Sequence, residues 1–345
     1  MPTPIETEIK RFAACALGGV ATANHVVKLA GDASSRQYFR VTAADGKTYV
    51  VARYPEPFDP IHHPTIQTTR LFLAAGLPVP KILALSDNHQ LMLLDDLGDM
   101  RLQDWLMTTK PDAHQSAYRQ TIDLIIRIQE AQQLATTLDC IAARIAFDQE
   151  KLQWELAFFY QNFFQRYLGL QHDADLKQRL FDEFTEIACT LASLPRVLCH
   201  RDFHSRNLML HDHRWFIIDH QDARMGPVFY DLASLLGDPY VELDESFCKE
   251  MLHYFVAQRR QKPPIHLVPD QASALNKEYN LMLVQRLLKA AGTYAYQMTV
   301  LGNSVYLPYI PRALKRAFAA IHQLDGYPTL KAELERLLTT SLPSA

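Results

Sequence analysis

Three polar side chains and a fourth a little further on could together move a phosphoryl group. In the stretch from Val197 to Leu210, His200, Asp202 and Asn207 stand in the pattern H-x-D-x-x-x-x-N, and the apolar run Trp215-Phe216-Ile217-Ile218 ends on Asp219. A carboxylate in such a loop can accept the proton of an attacking hydroxyl, which is the role expected of Asp202. Asn207 offers a neutral oxygen and Asp219 a charged one. Hard oxygen donors of this kind suit Mg2+, which takes one or two carboxylates and completes its shell with phosphate and water. The chemistry that follows is transfer of a phosphate of ATP to a hydroxyl, with Asp202 as base and Asn207 and Asp219 as metal ligands.

These residues need strands to hold them. Val197-Leu198-Cys199, Leu208-Met209-Leu210 and Trp215 to Ile218 are short apolar runs, so the loop is expected to sit within a β-hairpin. The spacing is that of the kinase catalytic loop. A kinase also needs a cover for the phosphates, and Gly31-Asp32-Ala33-Ser34-Ser35-Arg36 lies between two strand candidates, His25–Leu29 and Tyr38–Thr42. Ser34, Ser35 and Arg36 are the expected phosphate contacts, although the segment lacks the protein-kinase G-x-G-x-x-G. Asp45-Gly46 signals a hairpin turn into a third strand, Thr48–Arg53. There Arg53 would be the inward cation in the place of the usual lysine, and Gln67, in a helix over Pro64–Ala75, would replace its glutamate partner. Two further strands, Lys81–Leu85 and Gln90–Leu94, lead to Asp95, Asp96 and Leu97, the expected hinge against adenine, with Asp99 as a helix N-cap.

The second half reads as helical. Helices are expected over Leu102–Met107, Gln115–Leu134, Leu176–Leu194, Glu245–Arg260, Gln271–Val300 and Leu307–Leu338. The aromatic stretch from Phe147 to Leu168 reads as core. The expectation is an α+β, two-lobed, protein-kinase-like fold: a small antiparallel-sheet N-lobe over residues 1–94 that binds nucleotide, and a mainly helical C-lobe over 95–345 with the catalytic loop and acceptor site. From Asp219 the chain reaches the helix at Tyr230–Leu236 through one tight loop, too short for an activation segment. His204 also stands two places after Asp202, where protein kinases carry lysine. Both features favour a small-molecule acceptor. Gln221, Asp222 and Arg224 are candidate substrate contacts beside His204. Asp231 would cap its helix and brace the catalytic loop. Gln285, Arg286, Lys289 and Tyr296 form a polar stripe, either a solvated face or a cationic wall toward an acidic acceptor.

Composition narrows the field. With 35 Lys and Arg against 38 Asp and Glu, the net charge is −3, which argues against a generic nucleic-acid binder. The 48% hydrophobic and 21% charged residues fit a globular protein. Five scattered cysteines without a C-x-x-C, no signal-peptide core and no long apolar run lead to the expectation of a reduced, cytoplasmic, non-membrane protein.

With those residues in hand, the chain resembles the aminoglycoside phosphotransferase and choline kinase superfamily over nearly its whole length. Within it, Gly31 to Arg40, Ile218 to Ala223, Gly226 to Leu236, Gln285 to Gly292 and Tyr306 to Arg312 are similar to the bacterial kinases that phosphorylate N-acetylmuramate and N-acetylglucosamine at the anomeric hydroxyl. The resemblance implies an ATP- and Mg2+-dependent phosphotransferase with an alcohol acceptor, working in peptidoglycan recycling and feeding a nucleotidyltransferase. It implies the same roles for Asp202, Asn207 and Asp219. His220 departs from the pattern, where an aromatic is usual. Competing readings are a kinase for an aminoglycoside, choline, homoserine or a thio-sugar, and a non-catalytic ATP-binding module.

Overall fold

The structure, a computed structural model, describes residues 3–18, 25–29, 36–263 and 267–339. The chain begins with α1 (Pro4–Ala16), β1 (His25–Lys28), β2 (Gln37–Thr42), β3 (Thr48–Arg53), α2 (Pro64–Ala74), β4 (Ile82–Leu85) and β5 (Leu91–Asp95). Helices α3 (Leu102–Thr108), α4 (Pro111–Glu130), α5 (Gln132–Thr137), α6 (Ile141–Arg144), α7 (Gln149–Phe159) and α8 (Ala174–Ser193) follow. Then come β6 (Arg196–Cys199), β7 (Leu208–His211), β8 (Arg214–Ile217), β9 (Arg224–Pro227) and α9 (Tyr230–Leu236). The chain closes with α10 (Glu245–Arg259), α11 (Ala272–Thr299), α12 (Ile310–Ile321) and α13 (Pro328–Thr339).

The chain forms two compact units that do not follow a single cut. One is Met1–Arg101 with Leu208–Asp222; the other is Leu102–Asn207 with Ala223–Ala345. In the first, an antiparallel five-stranded sheet has the order β1-β2-β3-β5-β4. Strand alternation gives it two apolar faces. Phe39, Val41, Val51, Leu91 and Leu93 pack on Ile9 and Ala13 of α1, whose start is fixed by a reciprocal Thr3–Glu6 capping box. Ala52, Tyr54 and Met92 face the other way, toward Ile66 of α2. The β2–β3 turn depends on Gly46, whose φ of +82° is open to glycine at no steric cost. In the β7–β8 hairpin, Asp212 and His213 both adopt positive φ, as a two-residue primed turn requires.

The second unit is built around α11, where Leu281, Met282, Val284, Leu288 and Ala291 are buried. Gly292 lets α7 approach: a Cβ there would lie 2.6 Å from the Phe159 Cα. The aromatic stretch is core, with Phe159, Tyr160, Phe163 and Phe164 buried and Trp154 exposed. It runs on from α7 as a π-helical segment over Tyr160–Tyr167. No described helix is long and apolar enough to cross a membrane.

Three expectations need correction. The catalytic-loop stretch is not one hairpin: β6 pairs with β9, and β7 pairs with β8. Strand β9 lies in the stretch that was expected to be one tight loop from Asp219 to the helix at Tyr230; here it pairs with β6, and Pro227, which has no N–H to donate, falls at its end. Residues 307–338 are not one helix. A 3-10 segment at Ser304–Tyr309 precedes α12, and the chain breaks again at Gly326 and Tyr327, both at positive φ.

Candidate active site

The loop from His200 to Asn207 spans two different sheets, so its backbone groups must find partners elsewhere. Arg201 has φ +91°, and the consecutive N–H groups of His200 and Arg201 both donate to the Asp231 carboxylate, at 2.6 and 3.0 Å. Asp231 therefore braces the loop, as expected. It does not cap α9, whose N-cap position is Phe229. The Ser205 N–H donates to Asp238 at 2.8 Å. Arg206 is buried: its Nε donates to Gln103 at 2.9 Å, an Nη donates to the Tyr309 hydroxyl at 2.9 Å, and its guanidinium lies 3.8 Å from the Tyr240 ring centre. The neighbouring Asn207 side chain donates through Nδ2 to the Asp202 carbonyl at 3.0 Å, which commits its nitrogen and leaves its oxygen as an acceptor.

Asp202 lies under three cations. Its Oδ1 accepts from Lys289 Nζ at 3.0 Å and from both Arg286 Nη atoms at 3.4 Å, while Oδ2 has Arg201 Nε at 3.7 Å. Burial opposes its charge, but Lys289, Arg201 and Arg286 win, holding the carboxyl well below the usual carboxylate range. Lys289 is itself held below the ordinary lysine value, first by burial, against the pull of Asp202 and with Arg286 and Arg201 adding to the lowering. Arg286 is fixed from behind by the Tyr230 hydroxyl at 2.9 Å and Ser234 at 2.8 Å. The expected polar stripe is thus no solvated face: Gln285 and Arg286 are buried, and Gln285 donates to the buried Glu155 at 2.8 Å.

Asp219 belongs to the other unit, at the end of the segment that leaves β8. Its φ is +59°, a left-handed position for a non-glycine residue. Arg36 Nη2 donates to its Oδ1 at 3.1 Å, and Gln221 Nε2 donates to the same oxygen at 2.9 Å. The carboxylate side chain remains 43% exposed, so ligand positions are open on it. His220 packs on Phe72 and shares a 2.7 Å hydrogen bond with Thr69, both on α2. It takes the packing role expected of an aromatic and adds a polar tie.

Other expected residues fall in different places. Ser34 and Ser35 lie outside the described residues. Arg53 is not the inward cation. It pairs with Gln37 and Leu91, two residues on from Val51, which puts it on the sheet face that carries α1; a period of two reverses the face at every step. Gln67 donates to the Ile61 carbonyl. Asp95 accepts from the Lys81 N–H at 3.0 Å. Asp96 and Asp99 both bind Arg40, at 2.6 and 2.9 Å, so Asp99 is tied to β2. A cavity of about 540 Å³ opens beside Asp95, Asp96 and the buried Leu97, with Lys81 and Arg214 on its wall. His204 is half-buried and stacks edge-on against Tyr240, and loss of solvent lowers its pKa. Asp222 is within 3.4 Å of Gln221, and Arg224 lies over Phe147 at 5.2 Å.

Arg40, Arg201, Arg206 and Asp238 were missed. Arg206 adjoins Asn207 inside the motif and Arg201 adjoins Asp202, so position alone could have raised both. Nothing in the sequence pairs Arg206 with Tyr309.

The Asp219 carboxylate in one unit and the Asn207 amide oxygen in the other are each hard donors, of the kind Mg2+ takes. Among the described residues there is no cluster of three or more His, Cys, Asp or Glu that would suit a metal caged by protein alone.

A small antiparallel sheet followed by a helical unit that carries the H-x-D-x-x-x-x-N loop defines a two-lobed, protein-kinase-like phosphotransferase. The model of APH, the phosphotransferase enzyme family, matches residues 25–263, and the chain belongs to that family. It is 31% identical over 287 residues to an N-acetylmuramate/N-acetylglucosamine kinase of Neisseria meningitidis serogroup B, covering 83% of this chain and 82% of the relative. A protein of the same name from Pseudomonas aeruginosa is 31% identical over 318 residues, covering 92% and 88%. Among solved structures, a thermostable mutant of aminoglycoside phosphotransferase APH(4)-Ia, in a ternary complex with AMP-PNP and hygromycin B, matches with a TM-score of 0.57 at 17% identity, covering 92% and 99%.

Proposed function

We propose that this chain transfers the γ-phosphate of ATP to the anomeric hydroxyl of N-acetylmuramate or N-acetylglucosamine, in the cytoplasm, as a step of peptidoglycan recycling. The acceptor reading rests on the two relatives, each aligned over most of its length with this chain. The chemistry rests on one observation: Asp202 is held with one oxygen saturated by cations and the other directed to none within hydrogen-bond reach. Residues 1–94 serve as the nucleotide-binding lobe in this reading, and 95–345 carry the base and the acceptor site.

Asp202 Oδ2 accepts the hydrogen bond of the acceptor hydroxyl and takes its proton late in a loose transition state. A strong base is not needed there, and orientation is. Lys289 and Arg286 keep the carboxylate ionised and aimed. Asn207 and Asp219 would hold Mg2+, which supplies charge neutralisation across the transferring phosphates. Arg36 lies beside Asp219, where phosphate oxygens would be. The three cations around Asp202 favour a neutral or carboxylate-bearing acceptor over an aminoglycoside or choline.

The test is transfer from γ-labelled ATP to N-acetylmuramate, N-acetylglucosamine, an aminoglycoside and choline. An acid-labile phosphorylated amino sugar is expected. Label moving only to a cationic acceptor would discard the amino-sugar reading and keep the kinase. Binding of magnesium-ATP with no transfer to any acceptor would return the non-catalytic module.

A further inference from the structure

The Arg36–Asp219 pair carries an inference that rests on the reading of Asp219 as the metal ligand. Arg36 is anchored: its side chain is 15% exposed, its guanidinium lies 5.9 Å from the Tyr38 ring centre, and it interacts with Tyr54. Burial works against its charge, yet Tyr38, Asp219 and Tyr54 raise its pKa, so it stays a cation. It occupies the same Asp219 oxygen that Gln221 approaches, while the rest of the carboxylate is open.

We infer that Arg36 is the resident counter-cation of Asp219 and exchanges that partner for phosphate, so that the site resists a bare divalent cation and accepts one that arrives with a nucleotide. A divalent cation on Asp219 repels a guanidinium 3.1 Å from the same carboxylate. Phosphate oxygens reverse the balance, because the guanidinium fork can bind two of them at once. Arg36 then contributes with opposite sign to two affinities. It weakens metal binding when no nucleotide is present and strengthens binding of the metal–nucleotide pair.

Both are measured directly by binding, using Mn2+ alone, by loss of its free-ion resonance signal, and AMP-PNP with Mn2+, by calorimetry. Arg36→Met is expected to tighten Mn2+ alone about fivefold and to weaken the Mn2+–AMP-PNP pair about tenfold. Arg36→Lys keeps the charge without the fork, so Mn2+ alone stays near wild type while the pair weakens. Arg36→Gln replaces the methionine variant if that one does not fold. Two affinities that move in the same direction, or neither moving, overturn the exchange. Asp219→Asn runs in parallel: if it abolishes Mn2+ binding while Arg36→Met fails to give opposite signs, only the exchange falls. If Asp219→Asn leaves Mn2+ binding unchanged, the metal role of Asp219 falls and the exchange goes with it.

Discussion

Asp202 and Asp219 are carboxylates on either side of one β-hairpin, and the protein holds them in opposite ways. Asp202 is 25% exposed and faces Lys289, Arg286 and Arg201, two of which come from α11. Asp219 is 43% exposed, with one guanidinium and one amide on a single oxygen. The first arrangement fixes a direction and a charge state, which suits a base in a transition state with little bonding to the nucleophile. The second leaves a carboxylate whose partners can be replaced, which suits a ligand that must take up and release a metal with each nucleotide. Both sit next to strained backbone, at Arg201 and at Asp219, but the strain does different work. At Arg201 it turns two N–H groups onto Asp231, and at Asp219 it ends the strand and turns the chain.

The comparison breaks most visibly at Asp202, the proposed base. Asp202→Asn should lower turnover by about a thousandfold or more, and it should also alter stability, because Lys289 and Arg286 lose their shared anion. Asp219→Asn should abolish metal-dependent turnover with the unfolding midpoint almost unchanged, since exposed pairs contribute about 1 kcal/mol or less. Equal effects of the two substitutions on urea unfolding would erase the distinction.

Arg286→Met tests the support behind Asp202. It removes a buried cation from Asp202, Tyr230 and Ser234 together, and a loss of about 3 kcal/mol is expected in urea unfolding. Little loss would mean that Lys289 alone holds the carboxylate.

Lys289 gives a pH handle. Its pKa is held below the ordinary lysine value, so its proton is lost earlier as pH rises. Turnover should fall on the alkaline side as Lys289 deprotonates. In Lys289→Arg that limb should move to higher pH, because arginine keeps its charge. A limb that stays in place assigns it to another group.

The smallest effect lies at the Arg40–Asp96 pair. Burial pushes Asp96 up, and the Arg40 side chain, the Gly98 N–H and Thr48 more than reverse this, so its folded pKa lies below the 3.8 of the free side chain. Its stabilising contribution is present above pH 3.8 and is lost as pH falls through the lower folded value. Unfolding measured at about pH 3 and about pH 5 should show the wild type losing up to about 1 kcal/mol more than Arg40→Met. An identical loss in both would mean that the pair does not sense this range.

Much of this protein was legible before any coordinates. The H-x-D-x-x-x-x-N loop, the Asp219 turn, the five-strand order of elements and most helices follow from local periodicity, which is set by backbone geometry and acts over a few residues. Family membership was legible for the same reason, since the supporting segments are contiguous. The sequence did not determine strand partners or side-chain destinations. It could not say that β6 pairs with β9 and not with β7, because pairing is decided by which backbone groups find partners across 25 or more residues. It could not say that Arg53 faces α1 while Arg36 reaches Asp219, 183 positions away, because one residue of register reverses a strand's faces. The polar stripe on α11 carried two readings of equal standing, and only packing chose between them: Gln285 and Arg286 are buried and Lys289 is half-buried, so the two charges need a partner, and Asp202 is the anion they meet. Local chemistry named the candidate reacting groups, and long-range burial decided which charges hold them.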